Sequence, residues 1–273
     1  MANVGFFRKS SQAKLTKAGI GSARLDTLIL LEDATHQDRS WLLAHPEHKL
    51  SEPQLKKLRR QIEARAKHVP LAYIRGFTEF YGRRFKVNHR VLEPRPESET
   101  MIELLKALPL GAKAKIADVG TGSGALGITA ALELHDHNVD LYDIDAAALA
   151  VAKHNAHMHE LKLETHKRDL LNRPARNYDV ILANLPYVPS NWKINEAAAM
   201  EPQIAIFGGK DGLELYKRLF SQLESFDWRP KFVLTESMPP QHPALVEIAE
   251  TYGYKLHAKS DFIQVFTATK NSY

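Results

Sequence analysis

The sequence predicts an α/β fold, a mostly parallel sheet covered on both faces and preceded by a helical segment. Three observations predict it. From residue 115 strand-like and helix-like stretches alternate, residues 10–70 carry helical periodicity, and an aromatic, β-branched stretch around Gly82 separates the two. Alternation calls for parallel pairing, because each helix carries the chain back to the start of the next strand and covers one face. At 273 residues there is room for about two domains with real cores.

In the helical segment, "SARLDTLILLEDAT" places Leu25, Leu28, Ile29 and Leu31 at helical spacing, and "SEPQLKKLRRQIEARAKH" does the same with Leu55, Leu58 and Ile62. Ser51, followed by Pro53, is the expected N-cap of the second helix. Residues 77–93, "FTEFYGRRFKVNHRVLE", read as a hairpin about Gly82, and a helix restarts near Ser98. The alternating part runs "KIADVG" strand, "ALGITAALEL" helix, "VDLYDID" strand, "AALAVAKHNAHMH" helix, then strands "LETHKRD" and "YDVILANLPY". It continues with "GLELYKRLFSQLESF" helix, "PKFVLTES" strand, "PALVEIAETYG" helix, and closing strands "KLHAK" and "FIQVFTA". Only a few residues join the last two strands, so they pair antiparallel at an edge.

Composition narrows the class. With 44% hydrophobic and 25% charged residues the chain reads as soluble and globular. No apolar run approaches the roughly 18 residues of a membrane helix, and "MANVGFFRKSSQAK" lacks the apolar core of a signal peptide. The absence of cysteine excludes disulfides and thiolate chemistry and fits a cytoplasmic enzyme. Residues 1–90 carry 18 Lys+Arg against 8 Asp+Glu, a net +10, and residues 91–273 carry 19 against 24, a net −5. A basic first third points to an acidic partner surface or a phosphate backbone, with a solvated helix face as the alternative.

In an open α/β sheet, ligands bind at the carboxyl ends of the strands near the switch point, and the motifs fall there. "ADVGTGSGALG" places Gly120, Gly122 and Gly124 between a strand and a helix whose positive end faces a ligand. The pattern G-x-G-x-x-G also occurs, as Gly122, Gly124 and Gly127; alone it is weak, and a tight turn without ligand is the alternative. Asp143 ends the next strand, 23 residues after Gly120, where a carboxylate can accept both ribose hydroxyls of an adenosine. Asp145 is the expected cap of the following helix. Asp169 can meet an adenine amino group or cap a turn. Asn184, followed by Leu185, Pro186 and Tyr187, has the chemistry to hold a planar substrate bearing an amino group. Its side-chain oxygen and the Leu185 carbonyl accept the two N–H groups, and the Tyr187 ring packs on the plane. A structural Asx turn is the alternative.

Beyond these motifs, "PLAYIRGFTEFYGRRFKVNHRVLEPRPESE", "YDVILANLPYVPS", "EPQIAIFGGKDGLELYKRL" and "LTES" make the chain resemble the HemK/PrmC family of S-adenosylmethionine-dependent N5-glutamine methyltransferases. "LEPRPESE" and "FGGKDGL" are more specific to it than the glycine loop. The resemblance implies a Rossmann-like seven-stranded class I methyltransferase domain at 94–273, a β-hairpin linker at 77–93 and a small basic, substrate-binding helical domain at 1–76. It implies methylation of the Gly-Gly-Gln glutamine of peptide chain release factors, with S-adenosylmethionine as cofactor and no metal. The implied cofactor-binding residues are Asp118, Gly120, Thr121, Gly122, Ser123, Gly124, Asp143, Asp169, Leu170 and Asn184. The implied catalytic set is Asn184, Leu185, Pro186 and Tyr187. Residue 185 is usually proline in the family; Leu keeps the carbonyl, loses the fixed φ and gains an N–H.

Asn-Leu-Pro-Tyr also resembles the motif of ribosomal RNA adenine N6 dimethyltransferases, so nucleic-acid methylation is the second expectation. A catalytically silent docking module that keeps the cofactor pocket is the third, and a nicotinamide dehydrogenase leaves Asn184 to Tyr187 unexplained. His135, His137, His154, His157 and His159 lack an accompanying ligand set and read as surface residues. Trp192, just after the active-site segment, is the candidate partner contact, whereas Trp41 is expected to pack the helical bundle. Arg95 and Glu97 are expected to pair, line the pocket floor or open a helix. A monomer without membrane attachment is the expected state.

Overall fold

A computed structural model describes residues 2–269. The chain divides into two compact units, Met1–Gly76 with Asn195–Met200, and Phe77–Ile194 with Glu201–Tyr273. Among the described residues no helix is long and apolar enough to cross a membrane.

The first unit is helical: α1 (Val4–Lys17), α2 (Ala23–Thr35), α3 (Arg39–Ala44), α4 (Glu52–Ala66) and α5 (Leu71–Arg75). Polar side chains start three of them. Asn3 accepts the Phe6 N–H at 2.8 Å, Asp38 that of Trp41 at 2.8 Å, and Ser51 forms a capping box with Gln54. The expected cap at Ser51 is therefore present, and α1 begins earlier than the periodicity suggests because Asn3 opens it. Leu15, Leu30, Leu31, Leu42, Leu55 and Leu58 form its core, with Trp41 packed on the edge. One expectation fails in α2: Leu25 is 45% exposed, while Ala23, Thr27, Leu30, Leu31 and Ala34 are buried. At about 100° per residue, Leu25 lies roughly 200° from Ala23 and faces away from that stripe. The buried Thr27 hydroxyl is satisfied by donating to the Ala23 carbonyl at 2.7 Å.

The second unit opens with the hairpin β1 (Phe77–Phe80) and β2 (Arg83–Lys86). Tyr81 and Gly82, at φ 52 and 69, make its two-residue turn, the double left-handed geometry that matches strand twist. α6 (Glu99–Lys106) follows a short 3₁₀ turn, and then come β3 (Lys115–Val119), α7 (Ala125–Glu133), β4 (Asn138–Asp143), α8 (Ala146–Met158), β5 (Glu164–Lys167) and β6 (Val180–Ala183). α9 (Glu214–Glu224), β7 (Phe232–Glu236), α10 (His242–Thr251), β8 (Tyr254–Ser260) and β9 (Ile263–Ala268) complete it.

The seven strands run in the order β5-β4-β3-β6-β7-β9-β8. The first five are parallel, and β9 pairs antiparallel with both β7 and β8, so the closing pair does form the edge. The chain leaves β3 toward β4 and β5, then returns to place β6 on the other side of β3. That reversal opens a crevice at the carboxyl ends of β3 and β6. β6 and β7 are buried at every position, as strands covered on both faces must be, and the sheet separates two apolar cores.

Candidate active site

The glycine loop after β3 is held from beneath and from the side. Asp118, 1% exposed, accepts the Thr121 hydroxyl at 2.5 Å and the Gly127 N–H at 2.9 Å, both at Oδ2. Burial pushes its carboxyl up to about 6. Asp143 at the end of β4 accepts the Gly122 N–H at Oδ2 (2.9 Å) and the Asp145 N–H at Oδ1 (2.8 Å), which fixes the carboxylate plane. Burial raises its pKa. Asp145 caps α8 as expected, accepting the Ala147 N–H at 2.8 Å.

Beside this loop lies a cavity of about 380 Å³, lined among others by Gly120, Gly122, Asp143, Leu170, Asn184 and Pro186. A smaller cavity of about 60 Å³, whose walls include Arg95, Ser98, Thr121, Ser123 and Leu126, shares Gly120, Gly122, Leu92 and Asn184 with the first. Asn184 therefore stands where the two meet.

Asn184 follows β6, and a buried carboxylate holds its side chain. Its Nδ2 lies 3.0 Å from both Ser98 Oγ and Glu236 Oε2. Ser98 in turn donates to Glu236 Oε2 at 2.5 Å, and the Tyr187 hydroxyl donates to Oε1 at 3.1 Å. Glu236 is 1% exposed; burial raises its pKa, and the hydroxyl and amide donors pull it back down. Burial and the Glu236 charge together raise the Tyr187 phenol, so it stays a neutral donor.

The backbone of the same segment is clasped from outside. Leu185, buried, donates its N–H to the Tyr216 hydroxyl at 3.2 Å, and that hydroxyl also donates to the Glu236 carbonyl. A β-carbon at Gly208 would lie 2.1 Å from the Pro186 carbonyl oxygen, and one at Gly212 (φ 79) 2.0 Å from that of Tyr187. Gln241 Nε2 bridges the carbonyls of Tyr187 (2.8 Å) and Asp211 (2.9 Å).

Residues 8–76 match the PrmC N-terminal domain family and residues 98–201 the Methyltransferase small domain family. A release factor glutamine methyltransferase of Coxiella burnetii is 36% identical over 235 residues, 85% of each chain. One of Bacillus subtilis is 34% identical over 226 residues, 79% of this chain and 78% of its own. The chain belongs to the release factor glutamine methyltransferase family. Solved structures share the fold at lower identity. A methyltransferase of Pyrococcus furiosus (17% identical) superposes with a TM-score of 0.52 over 81% of this chain and all of its own. A ribosomal protein L11 methylase of Lactobacillus delbrueckii (18%) gives 0.51 over 67% and 84%. The fold is that of the class I methyltransferases, and the chain is an enzyme of that class.

Within the family's motifs, the structure brings Gly120, Gly122, Asp143, Asp169, Leu170, Asn184, Leu185 and Pro186 to the larger cavity and Thr121 and Ser123 to the smaller one. Three residues expected at the site line neither. Asp118 lies beneath the loop and shapes it through Thr121 and Gly127. Gly124 (φ 84) turns the chain into α7, and Tyr187 is drawn toward Glu236 by its hydroxyl. The Asp169 carboxylate pairs with Arg218 and is not a cap. Arg95 pairs with the buried Glu201 and with Glu93 rather than with Glu97, and lines the smaller cavity. Trp192 is 54% exposed. Two histidines are engaged by backbone rather than merely exposed: His137 Nδ1 accepts the Ala114 N–H, and His159 Nε2 lies 2.9 Å from the Arg84 carbonyl oxygen. Ser98, Tyr216, Glu236 and Gln241 were not legible as site residues. The available signals were an acid at the carboxyl end of the strand in "LTES" and the family-specific segments "LEPRPESE" and "EPQIAIFGGKDGLELYKRL", which contain Ser98 and Tyr216.

Proposed function

We infer that the chain transfers a methyl group from S-adenosylmethionine to the side-chain amide nitrogen of the Gly-Gly-Gln glutamine of a peptide chain release factor. Asn184 carries the inference: an anchored amide stands at the junction of an adenosine-sized cavity and a second, smaller one. The residues present fit the cofactor. Asp143 presents an oriented carboxylate to the cavity for ribose hydroxyls, Ile144, Leu170 and Leu215 offer apolar walls, and the larger cavity falls in the size range of small-ligand pockets. Asp143 would hold the ribose, Asp169 and Leu170 would flank the adenine, and Gly120 to Gly124 would cradle the methionine part.

Asn184 Oδ1 and the Leu185 carbonyl accept the two N–H groups of the substrate amide. That fixes its plane and returns electron density to a nitrogen whose lone pair is otherwise delocalised. When bound, S-adenosylmethionine supplies an electrophilic methyl on a sulfonium, a good leaving group. The methylated nitrogen then releases its extra proton to solvent, so no strong base is needed at the moment of attack. Holding the reacting atoms in line is the main contribution of the protein and is worth up to ~7–11 kcal/mol. The basic helical unit supplies a positive surface for the protein substrate.

Peptide mass spectrometry after incubation with S-adenosylmethionine and a purified release factor tests this, beside a factor whose Gly-Gly-Gln glutamine is alanine and a ribosomal RNA sample. The expected result is one added CH₂ on the glutamine peptide, absent from the alanine control. Methylation of RNA alone, or cofactor binding without turnover on either substrate, overturns it.

A further inference from the structure

We propose that Glu236, acting with Ser98, is a positioning residue that locks Asn184 as a hydrogen-bond acceptor and so restricts the site to substrates presenting N–H groups. The proposal rests on the function inferred above and adds the device that sets its specificity.

An asparagine side chain has two faces of opposite chemistry, an NH₂ that only donates and an oxygen that only accepts, and rotation by half a turn exchanges them. What decides between them here is a count of protons. Ser98 Oγ has one hydrogen and donates it to Glu236 Oε2 at 2.5 Å. The Tyr187 hydroxyl has one and donates it to Oε1 at 3.1 Å. Glu236 is an acceptor on both oxygens, and Ser98, its hydrogen spent, offers Asn184 only lone pairs. Both groups 3.0 Å from Nδ2 therefore demand a donor, and because they stand only 2.5 Å apart they meet the NH₂ together, on the donor side of the amide. A half-turn would instead set Oδ1 against a carboxylate oxygen and a hydroxyl lone pair, in a place that solvent does not reach, with Ser98 2% and Glu236 1% exposed. Like-polarity contacts of that kind are costly in a low-dielectric interior.

The oxygen of Asn184 is thereby left as its free acceptor, at the meeting point of the two cavities. A primary amide or an aromatic amine satisfies it. A carboxylate or a carbonyl oxygen meets acceptor against acceptor. The discrimination between a glutamine and a glutamate of the same shape is thus set in part by a carboxylate that does not touch the substrate. A site built to accept a substrate N–H rejects the analogue without it because its own polar groups are left unpaired.

Two readouts test the proposal, and the first needs no substrate. In ¹⁵N spectra of the full chain, the Asn184 NH₂ pair, assigned by its loss in Asn184→Ala, is expected to exchange slowly with water. Fast exchange is expected in Glu236→Gln and Ser98→Ala. In Glu236→Gln the new NH₂ competes for the same acceptors, so some molecules turn Asn184 over. The second readout is methylation of the release factor by each variant. Glu236→Gln should lower kcat by about 10²-fold, the scale of losing one preorganised group, with the S-adenosylmethionine Kd changed less than about twofold. Glu236→Asp, which keeps the charge, should recover part of kcat. Binding of a release factor carrying glutamate in place of the target glutamine should strengthen relative to the native factor on Glu236→Gln. An Asn184 pair that exchanges fast in the wild type, or kcat and selectivity unchanged in both Glu236→Gln and Ser98→Ala, overturns the lock. A slow, variant-sensitive pair without methylation of any release factor overturns the inferred substrate and leaves the lock intact. Ser98→Ala serves where Glu236→Gln lowers the yield of folded protein, the S-adenosylmethionine Kd reporting folding in each case.

Discussion

Replacing Tyr216 by phenylalanine removes a single oxygen from a fully buried position and asks how Leu185 is held. The hydroxyl accepts the Leu185 N–H at 3.2 Å and donates to the Glu236 carbonyl, and Leu185 is 2% exposed, so water cannot stand in for it. A buried N–H left without a partner costs about 1–3 kcal/mol. In a unit of this size about 1 kcal/mol moves the melting midpoint by about 2–4 °C, so Tyr216→Phe is expected to melt about 2–12 °C lower. Leu185→Pro deletes the N–H itself. On that background the hydroxyl has one fewer donor to satisfy, and Tyr216→Phe should cost about 1 kcal/mol less than it does beside leucine. Urea denaturation of the wild type, the two single variants and the double variant yields the coupling energy directly. If the two substitutions add to within about 0.3–0.5 kcal/mol, the hydroxyl is not holding that N–H and the reasoning fails.

Gly212→Ala forces a β-carbon to 2.0 Å from the Tyr187 carbonyl at a φ of 79°, so kcat should fall at least about tenfold while cofactor affinity holds. Equal loss in both would show that the clasp shapes the whole crevice. Asp143→Ala should raise the S-adenosylmethionine Kd by about 10–150-fold in calorimetric titration, the worth of charge-assisted bonds of about 1.5–3 kcal/mol; an unchanged Kd would remove Asp143 from the site. Asp118, with its carboxyl raised from 3.8 to about 6, binds its proton more tightly folded than unfolded. The stability it contributes is fully present below pH 3.8 and is lost as pH rises through about 6. Asp118→Asn should therefore gain stability over the wild type as pH increases across that window, and parallel urea midpoints at pH 4 and 7 would refute it.

Much of the fold was legible because its signals are local. Strand–helix alternation gave the parallel sheet, Gly82 the hairpin, Ser51 the helix start and the short closing connection the antiparallel edge. Leu25 misled because a single apolar residue at helical spacing does not say how wide the buried stripe is or which neighbours complete it. At the site, Gly120, Asp143 and Asn184 stood out because backbone turns and strand ends confine what can be placed there. Glu236 and Ser98 did not. They are 138 residues apart in the chain; the sheet order sets Glu236 on β7 beside β6, and the turn before α6 brings Ser98 to the same amide. Periodicity carries no record of such partners, and neither does composition.

The clasp around residues 185–187 moves stiffness from the loop to its surroundings. Where a proline ring would fix the backbone from within, here the fixing atoms belong to the turn that opens α9 and to the segment before α10. The geometry of the proposed substrate-holding segment is then only as durable as the docking of those two elements. On warming, methyl transfer should fade when the residues around Gly208, Gly212 and Gln241 loosen, ahead of any opening of the central strands. An enzyme organised this way carries its thermal limit outside the residues proposed to hold its substrate.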